Sequence, residues 1–184
     1  MSTAASSVSQ TLLNLQAAFQ GESNASVKYT AFALKAEVEG FLRVAALFRA
    51  AARAEQVHAA HHARIIAKLG ATAHAEYHAP EVKSTRENLQ AAKAGEEYER
   101  DIMYRDFIEE AEAAGRMDAV RTFMLASKAE NIHAQLYGEA LENLEAQRSA
   151  ATFYVCLVCG DVTTQLDEHC EICNAPKEKF DAVR

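Results

Sequence analysis

Two nine-residue stretches place a glutamate three positions before a histidine: RAEQVHAAH, residues 53–61, and KAENIHAQL, residues 128–136. Both lie in segments rich in Ala, Leu, Glu, Gln and Lys, the residues that favour α-helix. Side chains three positions apart lie on one face of a helix, with Cβ atoms about 5–6 Å apart, and can bind one metal ion together. Each stretch therefore predicts a helix that presents one carboxylate and one imidazole to a common centre.

The two stretches belong to an internal repeat with an offset of 133 − 58 = 75 residues. The offset aligns Tyr29 with Tyr104, Glu37 with Glu112, Gly40 with Gly115, Phe48 with Phe123, Glu55 with Glu130 and His58 with His133. Helical periodicity covers four segments, approximately residues 7–39, 41–69, 84–114 and 117–147. The repeat therefore predicts two copies of a helical hairpin, and each hairpin turns at a glycine.

Capping and connection signals agree with four helices. Ser7 with Gln10, and Ser84 with Glu87, fit capping boxes at the starts of the first and third helices. The connection over residues 70–84 could span about 50 Å when extended. That length suffices to run along the whole bundle, as a ferritin-like crossover requires.

Two further glutamates, Glu22 and Glu96, open the repeats. Glu22 and Glu55 are 33 residues apart, and Glu96 and Glu130 are 34 apart. If each glycine marks its hairpin turn, the two members of a pair lie at one level, roughly 24 Å from the turn at about 1.5 Å per residue. Two Glu-x-x-His pairs and one Glu from each of two other helices form the ligand set of ferritin-like di-iron and di-manganese bundles.

A fifth carboxylate, Glu99, lies three residues after Glu96, and its counterpart in the first repeat is Ala25. Five buried carboxylates cost several kcal/mol each unless cations pair with them, and two divalent ions would nearly balance their charge. Glu22 to Tyr29 is seven residues, whereas Glu96 to Tyr104 is eight. The extra residue predicts a π-bulge in the third helix.

All four cysteines lie in the C-terminal part, as CLVCG and CEIC, which give Cys156, Cys159, Cys170 and Cys173. Two Cys-x-x-Cys pairs predict a tetrahedral site for iron or zinc. The composition also changes to β-branched residues and turn formers near residue 151. We therefore predict a helical metal-binding domain over residues 1–148 and a small four-cysteine domain over residues 152–184.

Charge and composition exclude several function classes. The formal net charge of −7, with no Lys/Arg cluster, argues against nucleic-acid binding. No apolar run has the length of a membrane span, and the N-terminus has no signal-peptide pattern. With the cysteines confined to one metal-type cluster, a reducing cytoplasm is the expected compartment.

Over its whole length the chain resembles the rubrerythrins, in GES with Tyr29, AEQVH, AGEEYERDIMY, AENIH and the paired Cys-x-x-Cys motifs. The resemblance implies an all-α, four-helix, ferritin-like bundle followed by a small β/knuckle rubredoxin-like metal domain. It also implies two irons in the bundle and one iron (or zinc) at the cysteines. By position, Glu55 and Glu130 would bridge the irons, Glu22 and Glu96 would be terminal ligands, His133 would bind the second iron, and His58 or Glu99 the first.

The resemblance further implies a peroxidase that reduces hydrogen peroxide to water, an oxidoreductase of oxidative stress defence with NADH-peroxidase-type activity through an electron-transfer partner. That partner would be a rubredoxin or a reductase. Tyr29 and Tyr104 match tyrosines that hydrogen-bond beside the irons. The family arrangement is a head-to-tail homodimer in which the cysteine module of one subunit faces the di-iron site of the other. The sequence leaves open whether residues 153–184 reach the di-iron site of their own chain or that of a neighbour.

Two alternatives remain open. A ferroxidase or oxidase of the same fold would use O₂, and a metal-binding or storage protein would carry a structural zinc knuckle. His61 and His62 are expected at the surface or beside the ligands, since their repeat counterparts are Leu136 and Tyr137. Asp161 stands where rubredoxin-like knuckles usually have an aromatic residue, and Glu171 where a proline commonly follows the third cysteine.

Overall fold

The computed structural model describes residues 9–184. The helices are α1 (Gln10–Val38), α2 (Leu42–Lys68), α3 (Thr85–Tyr98), α4 (Tyr104–Ala113) and α5 (Met117–Glu142). A π-helical turn (Glu99–Met103) joins α3 to α4, so that these form one continuous rod. Short 3₁₀ turns cover Leu144–Arg148 and Lys177–Lys179, and the strands are β1 (Phe153–Cys156), β2 (Val162–Thr163) and β3 (Phe180–Val183). The chain is thus a four-rod bundle followed by a three-stranded sheet.

The helix ends partly follow the predicted caps. Ser84 and Glu87 form the predicted capping box, with both reciprocal hydrogen bonds present. At the first helix, the described N-cap is Ser9, whose side chain accepts a hydrogen bond from the Leu12 amide at 3.3 Å, and the predicted cap at Ser7 lies outside the described residues.

The fourth predicted helix is shorter than its sequence pattern. It was expected to continue to about residue 147, but α5 ends at Glu142. Asn143 takes non-helical angles (φ −132°, ψ 50°), and the following residues form a 3₁₀ turn. Asn is among the residues whose side chains compete with helical backbone bonding, and here the chain turns towards the sheet.

Both hairpins turn at the predicted glycines. Gly40 has φ +79° and Gly115 has φ +66°, in the left-handed region that glycine adopts without a Cβ penalty. The predicted π-bulge is also present, at residues 99–103. The extra residue between Glu96 and Tyr104 is therefore absorbed without rotating either side chain out of the bundle.

The crossover runs in extended form along α1, as its length predicted. Three amide side chains, one helical turn apart, bind its backbone: Gln16, Gln20 and Asn24. Asn24, for example, donates to the Glu76 carbonyl at 2.9 Å and accepts from the His78 amide at 2.9 Å. These bonds satisfy backbone groups that have no partner in a sheet or helix.

Two apolar cores flank the middle of the bundle. Near the Gly40 turn, Tyr29, Phe48 and Tyr137 pack together with Phe153 from β1. At the other end, Leu15, Ile66, Tyr104 and Phe123 form the second core. Any polar group between these cores is shielded from water.

The sheet has the order β2-β1-β3, with both pairings antiparallel. Phe153, Val155 and Val162 belong to the same apolar cluster as α1 and α2, so the sheet is docked on the bundle. Within residues 9–184, no helix has an apolar stretch long enough to cross a membrane.

Candidate metal centre

Two overlapping groups of ligand-type side chains lie in the middle of the bundle. One group is Glu22, Glu55, His58 and Glu130, and the other is Glu55, Glu96, Glu130 and His133. Within each group, one ligand atom from every residue lies within 4.8 Å of all the others, and all six residues are buried. Four rods contribute to the site, and the two shared residues come from the Glu-x-x-His stretches.

The two histidines aim one ring nitrogen at the carboxylates. His58 Nδ1 lies 2.9 Å from Glu55 Oε2 and 2.9 Å from Glu130 Oε1. His133 Nδ1 lies 2.8 Å from Glu130 Oε2. The rings are stacked with centroids 6.1 Å apart. The repeat thus produces a pseudo-symmetric pair of imidazoles on either side of the shared carboxylates.

The two predicted tyrosines reach across the bundle to the outer glutamates. Tyr29, on α1, donates to Glu96 Oε1 at 2.6 Å, and Tyr104, on α4, donates to Glu22 Oε1. Burial, and next the charge of the adjacent glutamate, raise the pKa of each phenol well above its usual value. Both hydroxyls therefore remain protonated donors.

The buried glutamates form two sets, one with raised pKa values and one with lowered pKa values. Burial, followed by repulsion from Glu130, raises the pKa values of Glu55 and Glu96 well above the usual range. Burial also acts to raise the pKa of Glu22, but hydrogen bonds with His58 and His62 outweigh it and lower the pKa. The cluster without metal therefore retains protons on some carboxylates and charge on others.

His58 carries the compensating charge. Burial acts to lower its pKa, but the neighbouring Glu130, Glu22 and Glu55 outweigh burial and raise it well above the usual value. The charge of His58 is in turn the main influence that overcomes burial and lowers the pKa of Glu130. Protons thus occupy the positions where cations would otherwise lie.

The donor set fits two metal ions. Within residues 9–184, several buried ligand-type atoms make no well-directed hydrogen bond: Glu22 Oε2, Glu55 Oε1, Glu96 Oε2, Glu130 Oε1 and Oε2, and His133 Nδ1. The close approaches of the two Glu130 oxygens to the histidine nitrogens do not have hydrogen-bond geometry. Buried polar atoms are normally satisfied, because an unsatisfied one costs about 1–3 kcal/mol. Unsatisfied atoms that converge on one centre are the ligand atoms that two cations would need.

Glu99 lies outside both ligand groups. It is half-buried in the π-helical turn, and its carboxylate points towards Gly21, beside Glu22. Burial and the charges of Glu22 and Glu130 raise its pKa. In the described arrangement His58, and not Glu99, occupies the first ligand group.

His62 lies beside the two ligand-type groups without belonging to either. It is fully buried, and its Nε2 lies 3.0 Å from the Tyr104 hydroxyl while its Nδ1 lies 3.3 Å from Thr122 Oγ1. Its repeat counterpart Tyr137 is buried against Tyr29, with ring centroids 5.7 Å apart. The sequence offered one indication that His62 lies beside the cluster: it follows His58 by four residues and so lies on the same helix face.

The four cysteines come together in the C-terminal sheet region. Cys156 and Cys173 have sulfurs 3.6 Å apart, and Cys159 and Cys170 have sulfurs 3.5 Å apart. Sulfurs bound tetrahedrally at about 2.3 Å from one metal are separated by similar distances. The hydrogen bond with Cys159 lowers the pKa of Cys156, which favours the thiolate that a metal requires.

Asp161 makes this knuckle unusual. It is buried, and its Oδ2 lies 3.4 Å from Cys170 Sγ. The residue that departs from the usual rubredoxin-like pattern thus places a carboxylate, instead of an aromatic ring, against the cysteine site.

The cysteine knuckle contacts the metal centre of its own chain. His58 Nε2 lies 2.9 Å from the Cys159 carbonyl oxygen, and His133 Nε2 lies 3.0 Å from the Gly160 carbonyl oxygen. The linker is therefore long enough for residues 153–184 to reach the bundle of their own chain, a point that the sequence left open. After α5 ends, ten residues (143–152) turn back along α2, and β1 docks on the bundle.

We expect replacement of Gly160 by alanine to separate the two sites. Gly160 has φ +82°, and a Cβ there would overlap the His58 ring. The change should lower stability by about 2–4 kcal/mol, from backbone strain and overpacking together. Thermal unfolding should be compared with that of Gly115→Ala, where φ is +66° and a Cβ meets nothing within 4 Å. Equal destabilisation of the two variants would contradict the knuckle contact.

Comparisons with known proteins agree with this geometry. The sequence model of the rubrerythrin family matches residues 14–141. The chain is 37% identical to nigerythrin of Nitratidesulfovibrio vulgaris over 177 residues, which cover 95% of this chain and 87% of that protein. It is 32% identical to rubrerythrin-2 of Clostridium acetobutylicum, over 91% of this chain and 94% of that protein.

Solved structures give the same result. Fully reduced, all-ferrous nigerythrin superposes with a TM-score of 0.88 at 36% identity, over 99% of this chain and 91% of that one. A bacterioferritin of Desulfovibrio desulfuricans superposes with a TM-score of 0.68 at 17% identity, which shows the ferritin-like fold alone. The predicted fold class, a ferritin-like bundle with a rubredoxin-like knuckle, is confirmed. The chain therefore belongs to the rubrerythrin family of di-iron oxidoreductases of oxidative stress defence, which carry a further iron at four cysteines.

Proposed function

We propose that this protein is a peroxidase that reduces hydrogen peroxide to water, with electrons relayed from the cysteine site to the di-iron site. The observation that carries the proposal is the pair of hydrogen-bond contacts from His58 and His133 to the Cys159 and Gly160 carbonyls. Each histidine has its other nitrogen among the carboxylates. The cysteine site, where a bound iron would carry one electron at a time, is thus linked to the carboxylate cluster through two imidazole side chains.

We assign the ligands from the two groups. Glu55 and Glu130 belong to both and would bridge the irons, while Glu22 and Glu96 would each bind one iron. His133 would complete the second iron, and His58, or Glu99 in its place, the first. Cys156, Cys159, Cys170 and Cys173 would hold the third iron.

The reaction H₂O₂ + 2 e⁻ + 2 H⁺ → 2 H₂O needs two electrons at one place. Two ferrous ions held together supply one electron each when bound. The surrounding residues have separate roles: the two apolar cores exclude water, and Tyr29 and Tyr104 hold the outer glutamates in position with protonated hydroxyls. A fixed set of donors in a dry site loses little energy to reorganisation as charge changes.

The electrons would come from a rubredoxin-type or reductase-type protein, and ultimately from NADH, in a cytoplasmic setting. We also propose that the protein forms a homodimer. Because the knuckle of each chain reaches its own bundle, relay within one chain requires no exchange of modules between subunits. A head-to-tail exchange would replace the same contacts by those of a partner.

Stopped-flow reoxidation tests the function. The protein, loaded with iron and fully reduced, is mixed with H₂O₂ or with O₂, and oxidation of both sites is followed by absorbance. We expect peroxide to react at least about 100-fold faster than O₂, since peroxide is cleaved by the two electrons that the site holds. Faster reaction with O₂ would favour the ferroxidase alternative. Zinc alone at the cysteines, without visible sulfur-to-iron absorption, would favour a structural knuckle.

A further inference from the structure

An open groove of about 660 Å³ lies where α2, α5 and the first cysteine knuckle meet. Arg64 and Lys68 line it from α2, Arg121 from α5, and Leu157 and Val158 from the knuckle. The three cationic side chains are exposed, and the two knuckle residues are half-buried. The groove therefore has an apolar floor at the knuckle and a cationic rim.

The cationic rim is not neutralised by the chain itself. Within the part of the chain that the structure describes, Arg64, Lys68 and Arg121 form no ion pair. The acidic residue at the groove, Asp118, is bound to Arg116 at 3.0 Å. A local positive field thus occurs in a chain whose formal net charge is −7.

A second observation supports convergence of this charge. Burial, and next the charge of Arg64, lower the pKa of His61 to about 4, with a smaller effect from Arg121. His61 lines the same groove. The imidazole is therefore neutral at pH 7, and the rim consists of permanently charged side chains.

The groove is also the surface beside the sulfur ligands. Leu157 and Val158 lie in sequence between Cys156 and Cys159, and Val158 packs with Leu125 against the cysteine cluster. Any protein seated on these residues would be one residue away from two of the four sulfurs. Electrons that enter here would reach the cysteine site before the di-iron site.

We propose that this groove is the docking surface for the electron donor, an acidic one-electron carrier protein. The inference rests on the proposed function, because it gives the relay an entry point. Charge complementarity selects the partner: exposed cations around an apolar floor attract and orient an acidic surface, and the apolar residues then exclude water at the contact. Steering of this kind accelerates association and weakens as salt rises.

The test measures electron entry without peroxide. Reduced rubredoxin, as an acidic probe, is mixed with the iron-loaded, oxidised protein, and reduction of the cysteine-bound iron is followed by stopped flow. For Arg64→Glu/Arg121→Glu we expect the second-order rate constant to fall at least about tenfold at low ionic strength, with loss of its salt dependence. Binding of redox-inert, zinc-substituted rubredoxin, measured by calorimetry, should weaken by a similar factor.

Arg86→Glu is the control for a charge reversal outside the groove, because Arg86 is an exposed cation on α3 that does not line the groove and forms no ion pair among residues 9–184. It should stay within about twofold of the unmodified protein. A reduced basic cytochrome should react faster, not slower, with the double variant. Equal rates for all variants, or an equal loss with Arg86→Glu, would overturn the proposal. So would a double variant that keeps its rate and affinity but changes its oligomeric state by light scattering, which would make the groove a contact between copies of this chain.

Peroxide is absent from this assay, so its outcome is separate from that of the reoxidation experiment. A protein that accepts electrons through the groove but does not reduce peroxide would refute the proposed function alone. A protein that reduces peroxide but is insensitive to both charge reversals would refute the docking surface alone.

Discussion

Replacing Glu130 by alanine should remove both irons from the bundle and leave the cysteine-bound iron in place. Glu130 belongs to both ligand groups and contacts both histidines, His58 at 2.9 Å and His133 at 2.8 Å. Its loss therefore affects two metal positions at once. Metal analysis after reconstitution should fall from about three irons per chain to about one, and peroxide reduction should fall at least about 100-fold.

Two comparisons make this result specific. Glu139→Ala, at an exposed position on the same helix, should keep the full metal content. Glu55→Ala should match Glu130→Ala, because Glu55 is the other residue common to both groups. His133→Ala, which removes a ligand from one group only, should lose less iron than either. Retention of two irons in the bundle of Glu130→Ala would contradict the ligand assignment.

The sequence was sufficient to predict that these glutamates and histidines cluster, because their positions obey two simple periods. The i,i+3 spacing places Glu55 beside His58, and the 75-residue repeat places Glu130 and His133 opposite them. A difference of one residue, seven against eight, was enough to locate the π-helical turn. These are properties of helices, so they can be read before any tertiary contact is known.

The sequence was insufficient where one contact depends on the path of an irregular segment. The ten residues between α5 and β1 contain no period, so the pattern did not show that the Cys159 carbonyl reaches His58 of the same chain. The same applies to Asp161, whose approach to Cys170 depends on the fold of the knuckle. His62 was ambiguous because the repeat pairs it with a tyrosine, which breaks the symmetry that identified the ligands.

Removing the metals should make the bundle less stable as the pH rises above about 7. Without cations, the raised pKa values of Glu55, Glu96 and His58 mean that the folded protein holds protons that the unfolded chain releases. Stability then falls with pH, because the slope of the unfolding free energy follows the protons bound in the unfolded state minus those in the folded state. Each such group contributes at most about 1.4 kcal/mol per pH unit.

The other shifted groups do not reverse this sign above pH 7. The pKa values of His61 and His62 are lowered, so their contribution grows as the pH rises to their unfolded value of about 6.5 and is constant above it. Glu22 and Glu130 have lowered pKa values, and their contribution is already complete above about pH 5. From about pH 7 to 9, the groups with raised pKa values keep protons that the unfolded chain has released, which is destabilising. Cys156 acts in the opposite direction, because its pKa is lowered to about 5 from a usual value of 9.0, but it is one group against Glu55, Glu96 and His58.

Calorimetry of chelator-treated and iron-loaded protein over this range checks the argument. We expect the Tm of the metal-free protein to fall by at least about 3 °C per pH unit, whereas the loaded protein should change much less, because bound cations have already displaced these protons. Glu55→Gln removes one repelling carboxylate, so the metal-free variant should be more stable at pH 8 and less sensitive to pH. A metal-free Tm that is constant or rises from pH 7 to 9 would mean that the four buried carboxylates are not confined together, because confined carboxylates cannot all ionise without either cations or protons among them.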